Sequence, residues 1–401
     1  MMWFEWKKIF ERRLNVAAML LGYLLIGVCV FCYISQASFY DERTDSYIEG
    51  IEAYRLGEER AARQTDVISE EYMTQLIGGI QRCDMDLESD DAYMEVIRPL
   101  GDIFYFAAKN YTDMRADIID QNALNAVDLT KGACFYERRM KKIMDYLNMD
   151  FSYGNYKESE KAYWIRKAED TITPFRWGST SVMTSVLYTV DIGFYLWFVI
   201  VICTSSVFSS EYESGAASLL FTTKYGKNRL IWSKIAVSVL FAAGYLSVGI
   251  LTGVGIIGLL LGFAGADLPV QLWNTVIPYN LTLGQACLGS FGVVLLVGVT
   301  LALILLCCSA RLRSSLAALV IGGAVLIAPA FFPMSKESGV WNHINYLFPV
   351  RVMDFKNMLG SFVSYPVGNS VVSYVGMTVI VYVVIGGAAL LLIRKGFVKA
   401  G

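Results

Sequence analysis

"LNVAAMLLGYLLIGVCVFCYI", residues 14–34, carries no charged side chain over 21 positions. Crossing the hydrocarbon core of a bilayer takes about 20 apolar residues of helix, so this run reads as a membrane span. Lys7, Lys8, Arg12 and Arg13 precede it, which also fits a cleaved leader. The apolar core is about twice the usual leader length, however, and "YISQASFY" (33–40) is a poor cleavage site, so an uncleaved span is expected.

Five more apolar windows follow: Tyr188–Phe208, Ile235–Ala266, Ala286–Cys308, Leu316–Phe332 and Val371–Ile393. Across 401 residues the chain is 55% hydrophobic and 17% charged, where a soluble chain carries about 25% charge. The expected fold class is an all-α polytopic membrane protein with six transmembrane helices. They are placed at 14–34, 188–208, 231–266, 284–308, 315–333 and 371–393.

Cations alternate between the connecting segments. They collect in the N-terminus, at Lys224, Lys227, Arg229 and Lys234, at Arg311 and Arg313, and in the 394–401 tail. The positive-inside rule then places both termini in the cytoplasm of a multi-pass cell-membrane protein. Residues 1–13 put Trp3, Trp6, Ile9 and Phe10 at helical spacing, opposite Lys7, Lys8, Glu11 and Arg12. This predicts an amphipathic N-terminal helix lying at the membrane interface.

The segment 36–185 is expected outside, as a helical extracellular domain. It holds 28 acidic against 18 basic residues, a net of −10, which a solvated face explains without a ligand. Tyr72, Leu76 and Ile80, and Met140, Ile143, Met144 and Leu147, follow helical periods. Leu87–Ala92 and Asn148–Glu158 read as loops. With 150 residues the segment is large enough to bury a core of its own, and its end helices are expected to prolong spans one and two.

Eight cysteines are present. Six fall in spans, where they pack as small apolar residues. Cys83 and Cys134 are the pair in 36–185, and both the disulfide and the two free thiols remain open readings. His343, the single histidine, reads as a surface residue rather than a metal ligand. Asp191 is the one acid inside a proposed span; it is a possible pathway residue, though interfacial placement weighs more. The 340–369 stretch is too polar to span and too apolar for a plain loop. A pair of re-entrant or interfacial helices is expected there, with Trp341, Tyr346, Phe348 and Phe355 at headgroup depth.

No phosphate loop, zinc motif, nucleophile elbow or dinucleotide fingerprint occurs, so no enzyme activity, cofactor or metal is expected in this chain. Between spans two and three, "SSVFSSEYESGAASLLFTTKYGKNRLIWSK" (205–234) runs from acidic through small to basic residues. Ser209 or Ser210 caps a predicted helix running to about Phe221 and stopping near Gly226, with Glu211 and Glu213 in its first turn. Lys234 is expected to snorkel toward headgroups. An ordinary positive-inside loop that happens to be helical is the plainer reading.

The pattern Phe208, Glu211, Gly215, Leu219–Leu220, Thr222 or Thr223, Arg229 and Lys234 resembles the cytoplasmic loop (209–230) of ABC-2-type ABC transporter permeases. The N-terminal helix, the six spans and the 340–369 region are similar to that family too; the core of 36–185 is not. The resemblance implies a permease that exports a peptide, antimicrobial or lipid-like cargo. It implies ATP bound on a separate ATPase subunit, and pairing with a second permease copy or sister permease. Phe208, Glu211, Gly215, Leu219, Leu220 and Arg229 would form the coupling helix seated on that ATPase. Partners would include membrane lipids and no nucleic acid. The alternatives are an ATPase-coupled mechanical or sensory protein without transport, and a partner-free receptor or scaffold.

Overall fold

The structure is a computed structural model describing residues 2–41, 44–83, 95, 97–114, 119–222 and 229–398. The described chain is mostly helical. Five helices are long and apolar enough to cross a membrane: Arg13–Gln36, Ser181–Glu213, Arg229–Leu261, Leu283–Leu312 and Tyr374–Ile393. At about 1.5 Å rise per residue the shortest still reaches about 30 Å. The expected span 315–333 comes out shorter, as Ser315–Phe331. Its α-helix ends at Ile327 and a 3-10 turn over Ala328–Phe331 carries Pro329. Proline lacks the N–H that another helical turn would need.

The second long helix starts at Ser181, ahead of the expected 188. The first does not continue: after Gln36 the chain turns into a hairpin, Ser38–Asp41 against Ser46–Glu49. The third stops at Leu261, where Gly262 and Gly265 take positive φ, short of the expected 266.

Leu283–Leu312 is the hub. It packs on the second, third and last long helices and on Ser315–Ile327. Thr282 and Gln285 start it with a reciprocal capping box, at 3.2 and 3.0 Å. The first and third long helices meet through small residues: a Cβ on Gly253 would stand 2.7 Å from Thr189 and 3.0 Å from Ile26. On the same two helices the Tyr23 and Tyr245 rings stack at 4.6 Å. Close helix approach explains this glycine, as packing in membranes usually does.

Within 36–185 lie the helices Ile51–Gln64, Glu70–Arg82, Asp102–Tyr111, Phe135–Leu147 and Glu158–Glu169. The buried faces are Met73, Leu76, Ile77 and Ile80 in one and Arg139, Ile143 and Leu147 in another, whereas Met144 is 38% exposed. Within the segment Met73, Ile77, Phe104, Leu124 and Phe135 are fully buried. Its apolar residues join those of the long helices in one continuous cluster, and Ile143, Leu147 and Trp164 share a second cluster with Val276 and Phe362. Arg139 fastens this contact: it is buried and donates to the carbonyls of Thr275 at 2.6 Å, Ile277 at 3.1 Å and Ala168 at 3.3 Å. The expected loop over Leu87–Ala92 lies outside the described residues.

The 340–369 stretch forms three short helices, Gly339–Tyr346, Pro349–Val352 and Phe355–Gly360, then a hairpin of Ser364–Val367 with Ser370–Ser373. Of the four aromatics expected at headgroup depth, Phe355 is buried against protein: a Cβ on Gly289 would touch its ring at 2.9 Å. His343 is part-buried rather than a surface residue. Its Nδ1 lies 2.6 Å from the Gly339 carbonyl and its Nε2 3.0 Å from that of Ser364.

Candidate functional site at the 205–234 junction

The stretch between the second and third long helices is not one helix to Phe221. It is the closing turn of the second long helix, Ser209–Glu213, and a short helix, Ala216–Thr222, separated by Gly215 at φ +73°. Nothing lies within 4 Å of a Cβ added at Gly215, so the left-handed backbone, not crowding, calls for glycine there. The expected cap is also supplied differently. Neither Ser209 nor Ser210 caps this helix through its side chain. The Phe208 and Ser209 amides donate to Ser309 Oγ at 3.2 and 2.9 Å, so the fourth long helix supplies the acceptor. The opening N–H groups of a helix lack intrahelical partners, and any well-placed oxygen serves them.

Glu211 points inward. Its Oε1 lies 2.7 Å from Lys234 Nζ and 3.2 Å from Lys8 Nζ. Glu5 completes a four-membered ring of charge, with Lys234 at 2.9 Å and Lys8 at 3.0 Å. Lys234 does not snorkel: its side chain is fully buried, and it also donates to the Val207 carbonyl at 2.8 Å. Its three N–H donors are thereby all used. Burial opposes the charge on Glu5, but the Lys234 and Lys8 ammoniums outweigh it and hold the carboxyl below its ordinary range. Burial likewise works against charge on Lys8, and Glu5 and Glu211 reverse it, raising the ammonium above its usual value.

The ring ties together the N-terminal helix Met2–Glu11, the helix Ser209–Glu213 and the base of Arg229–Leu261. Glu5 and Ile9 form the buried face of the N-terminal helix, while Trp3 is 75% exposed and Phe10 49%. Glu213 adds a fourth attachment, accepting from the Ser315 amide and hydroxyl, both at 2.7 Å. Phe208 is buried against Ile231, Ile235, Leu303 and Leu306. Beside the ring sits a cavity of about 220 Å³ lined by Lys8, Asn15, Ser206, Ser210 and Ser238.

The outward surface of the junction consists of Ser214, Gly215, Leu219, Thr222 and Arg229, with Leu219 72% exposed. The side chain of Leu220, and residues Thr223, Lys224, Gly226 and Lys227, lie outside the described residues. Glu211 and Phe208 thus stand beneath the surface that Gly215, Leu219 and Arg229 present.

The remaining expected site residues lie elsewhere. Asp191, partly buried, accepts from Ser290 Oγ at 2.9 Å between the second and fourth long helices. Cys83 and Cys134 are free thiols, each 3.3–3.4 Å from a nearby carbonyl, of Gly79 and Lys131. Sequence reading missed Glu5 and Ser309. The one available signal was the spacing Glu5, Lys8, Ile9, which puts two charges and an apolar residue on one face of the N-terminal helix.

No protein-family model matches this chain, and neither does any curated protein or solved structure.

Proposed function

We propose that this chain is the membrane subunit of an ABC-2-type exporter, driven by a separate ATPase seated on the 209–222 segment. One observation carries the reading: the segment that exposes Leu219 is tied through Glu211 to a ring of four charges joining three elements, with Glu5, Glu211 and Lys234 buried and Lys8 half-exposed. A push on that surface passes through Glu211 to Lys234 at the base of the third long helix and to the N-terminal helix. Glu211 is then a positioning residue that holds the segment, and Leu219, Gly215 and Arg229 make the contact. The cargo class stays as the resemblance implies, peptide, antimicrobial or lipid-like, and export runs outward across the cell membrane with both termini cytoplasmic.

The test is purification of the full chain from its native membranes. The expected result is a stoichiometric ATPase bearing a phosphate-loop motif, identified by mass spectrometry and lost from Leu219→Asp. An intact, folded chain that purifies without such an ATPase sinks the proposal. The second reading, ATPase-driven motion without transport, is favoured by the Arg139 anchorage, which would carry movement of the long helices into 36–185. Cargo flux in proteoliposomes separates the two.

A further inference from the structure

A cavity of about 910 Å³ lies among residues remote in sequence from the junction. Its walls come from residues 146–160, 334–347 and 361–367, with Met377 of the last long helix closing one side. Two of these walls touch at Gly339, where an added Cβ would stand 2.8 Å from the Tyr153 carbonyl oxygen. Val340 is 74% exposed, Ile344 49% and Val367 54%, so three large apolar side chains lie open along one groove. Apolar exposure grouped in this way marks a binding surface, and the volume falls in the usual range for a small-molecule site.

Most polar groups in the walls are already engaged. Glu160 accepts from Ser364 Oγ at 2.7 Å and from the Lys157 amide at 3.0 Å. Asn342 exchanges two hydrogen bonds with the Ser335 backbone, and His343 lies between two carbonyls. Two features are left to meet a ligand. Lys157 and Lys336 are exposed cations on the lining, and Ser361 Oγ is buried with no partner among the described residues.

We propose that this groove binds one acyl-chain lipid with an anionic headgroup, drawn from the bilayer. The chain lies along Val340, Ile344 and Met377, and the headgroup meets Lys157 and Lys336. The source follows from continuity: the hairpin of Ser364–Val367 and Ser370–Ser373 runs straight into Tyr374–Val398, so the apolar wall passes into a helix long enough to cross the membrane. An acyl chain then reaches the groove without crossing water. This rests on the membrane-spanning reading and not on the ATPase assignment.

The experiment uses the full chain in nanodiscs with a trace of photoactivatable phosphatidylglycerol, or of the phosphatidylcholine analogue with the same chains, and maps the labelled peptides. Label from the anionic probe is expected to concentrate in 146–160 and 334–367. Val340→Trp, which fills the groove from an exposed position, lowers that label about tenfold and leaves labelling of Arg13–Gln36 unchanged. Lys157→Glu with Lys336→Glu, a surface change, reduces the anionic probe to the level of the choline probe. Soluble glycerol phosphate does not compete. Groove peptides labelled no more than Arg13–Gln36, or label unchanged in Val340→Trp, overturns the site. Competition by glycerol phosphate overturns the acyl-chain assignment. ATPase copurification, followed in the same variants, reads the proposed function separately.

Discussion

At the 205–234 junction buried charge is met by buried charge, whereas at the base of the 36–185 segment it is met by backbone. Lys234 is enclosed by Glu5 and Glu211, with one carbonyl besides. Arg139 is as deeply enclosed but reaches three carbonyls, of Thr275, Ile277 and Ala168. Burial pushes its guanidinium down to about 10, still well above neutral pH, so the charge persists. Carbonyls of a fixed loop leave a guanidinium one geometry. At the junction, by contrast, two acids and two ammoniums from three elements meet through their side chains. One buried cation is therefore fixed by backbone and the other chiefly by acid side chains.

The comparison can be broken most directly at Lys234. Lys234→Ala leaves Glu5 and Glu211 buried together, and removing one partner of a buried ion pair costs about 3–5 kcal/mol. A large fall in thermal midpoint in detergent is expected, partly recovered when Glu5→Gln and Glu211→Gln are added. Recovery requires charge imbalance to be the cause; no recovery would make Lys234 a packing residue.

Arg139→Leu is next. It orphans buried carbonyls, at about 3 kcal/mol for loss of charge-assisted hydrogen bonds. Limited proteolysis should open 36–185 while the junction stays protected. Equal opening at both ends would contradict independent anchorage.

A smaller effect comes from acid. Glu5 is depressed in the folded chain, so its stabilisation is complete above the ordinary glutamate value of about 4.3 and is lost as pH falls through the lower folded value. Hydrogen-exchange protection of Met2–Glu11 should be constant from neutrality to about pH 5 and fall below about pH 4. Protection of Phe135–Leu147, anchored by Arg139, should not follow it.

The smallest effect on stability belongs to Leu219→Asp. An exposed substitution shifts unfolding by no more than about 0.5 kcal/mol, so loss of ATPase copurification in a chain of unchanged midpoint isolates the contact surface. A drop in midpoint of several degrees would show that Leu219 serves the fold instead.

The apolar runs and helical periods were readable because they depend on local geometry. A helix repeats its face every three to four residues, and an uncharged run of about 20 residues is written in consecutive positions. This reached the long apolar helices that contain 14–34, 188–208, 231–261, 284–308 and 374–393, and the helices around 72–80 and 140–147. It also reached the N-terminal helix, but not its inward face. Trp3 and Phe10 marked the apolar stripe, while Glu5 turned inward because Lys234 waits 229 positions away in the chain.

The same limit governs the rest. Ser309 caps a helix 100 residues earlier, and Arg139 answers carbonyls 136 and 138 residues away. Pro329 was visible, but that its helix would stop at Ile327 was settled by the 3-10 turn that follows. The sequence by itself determined which segments are long, apolar and helical, since those depend on the residue and its near neighbours. The tertiary structure alone decided that Glu211 and Lys234 turn inward and Leu219 outward. A charge enters the interior only where its counter-charge is already in place, and that is a property of distance in space.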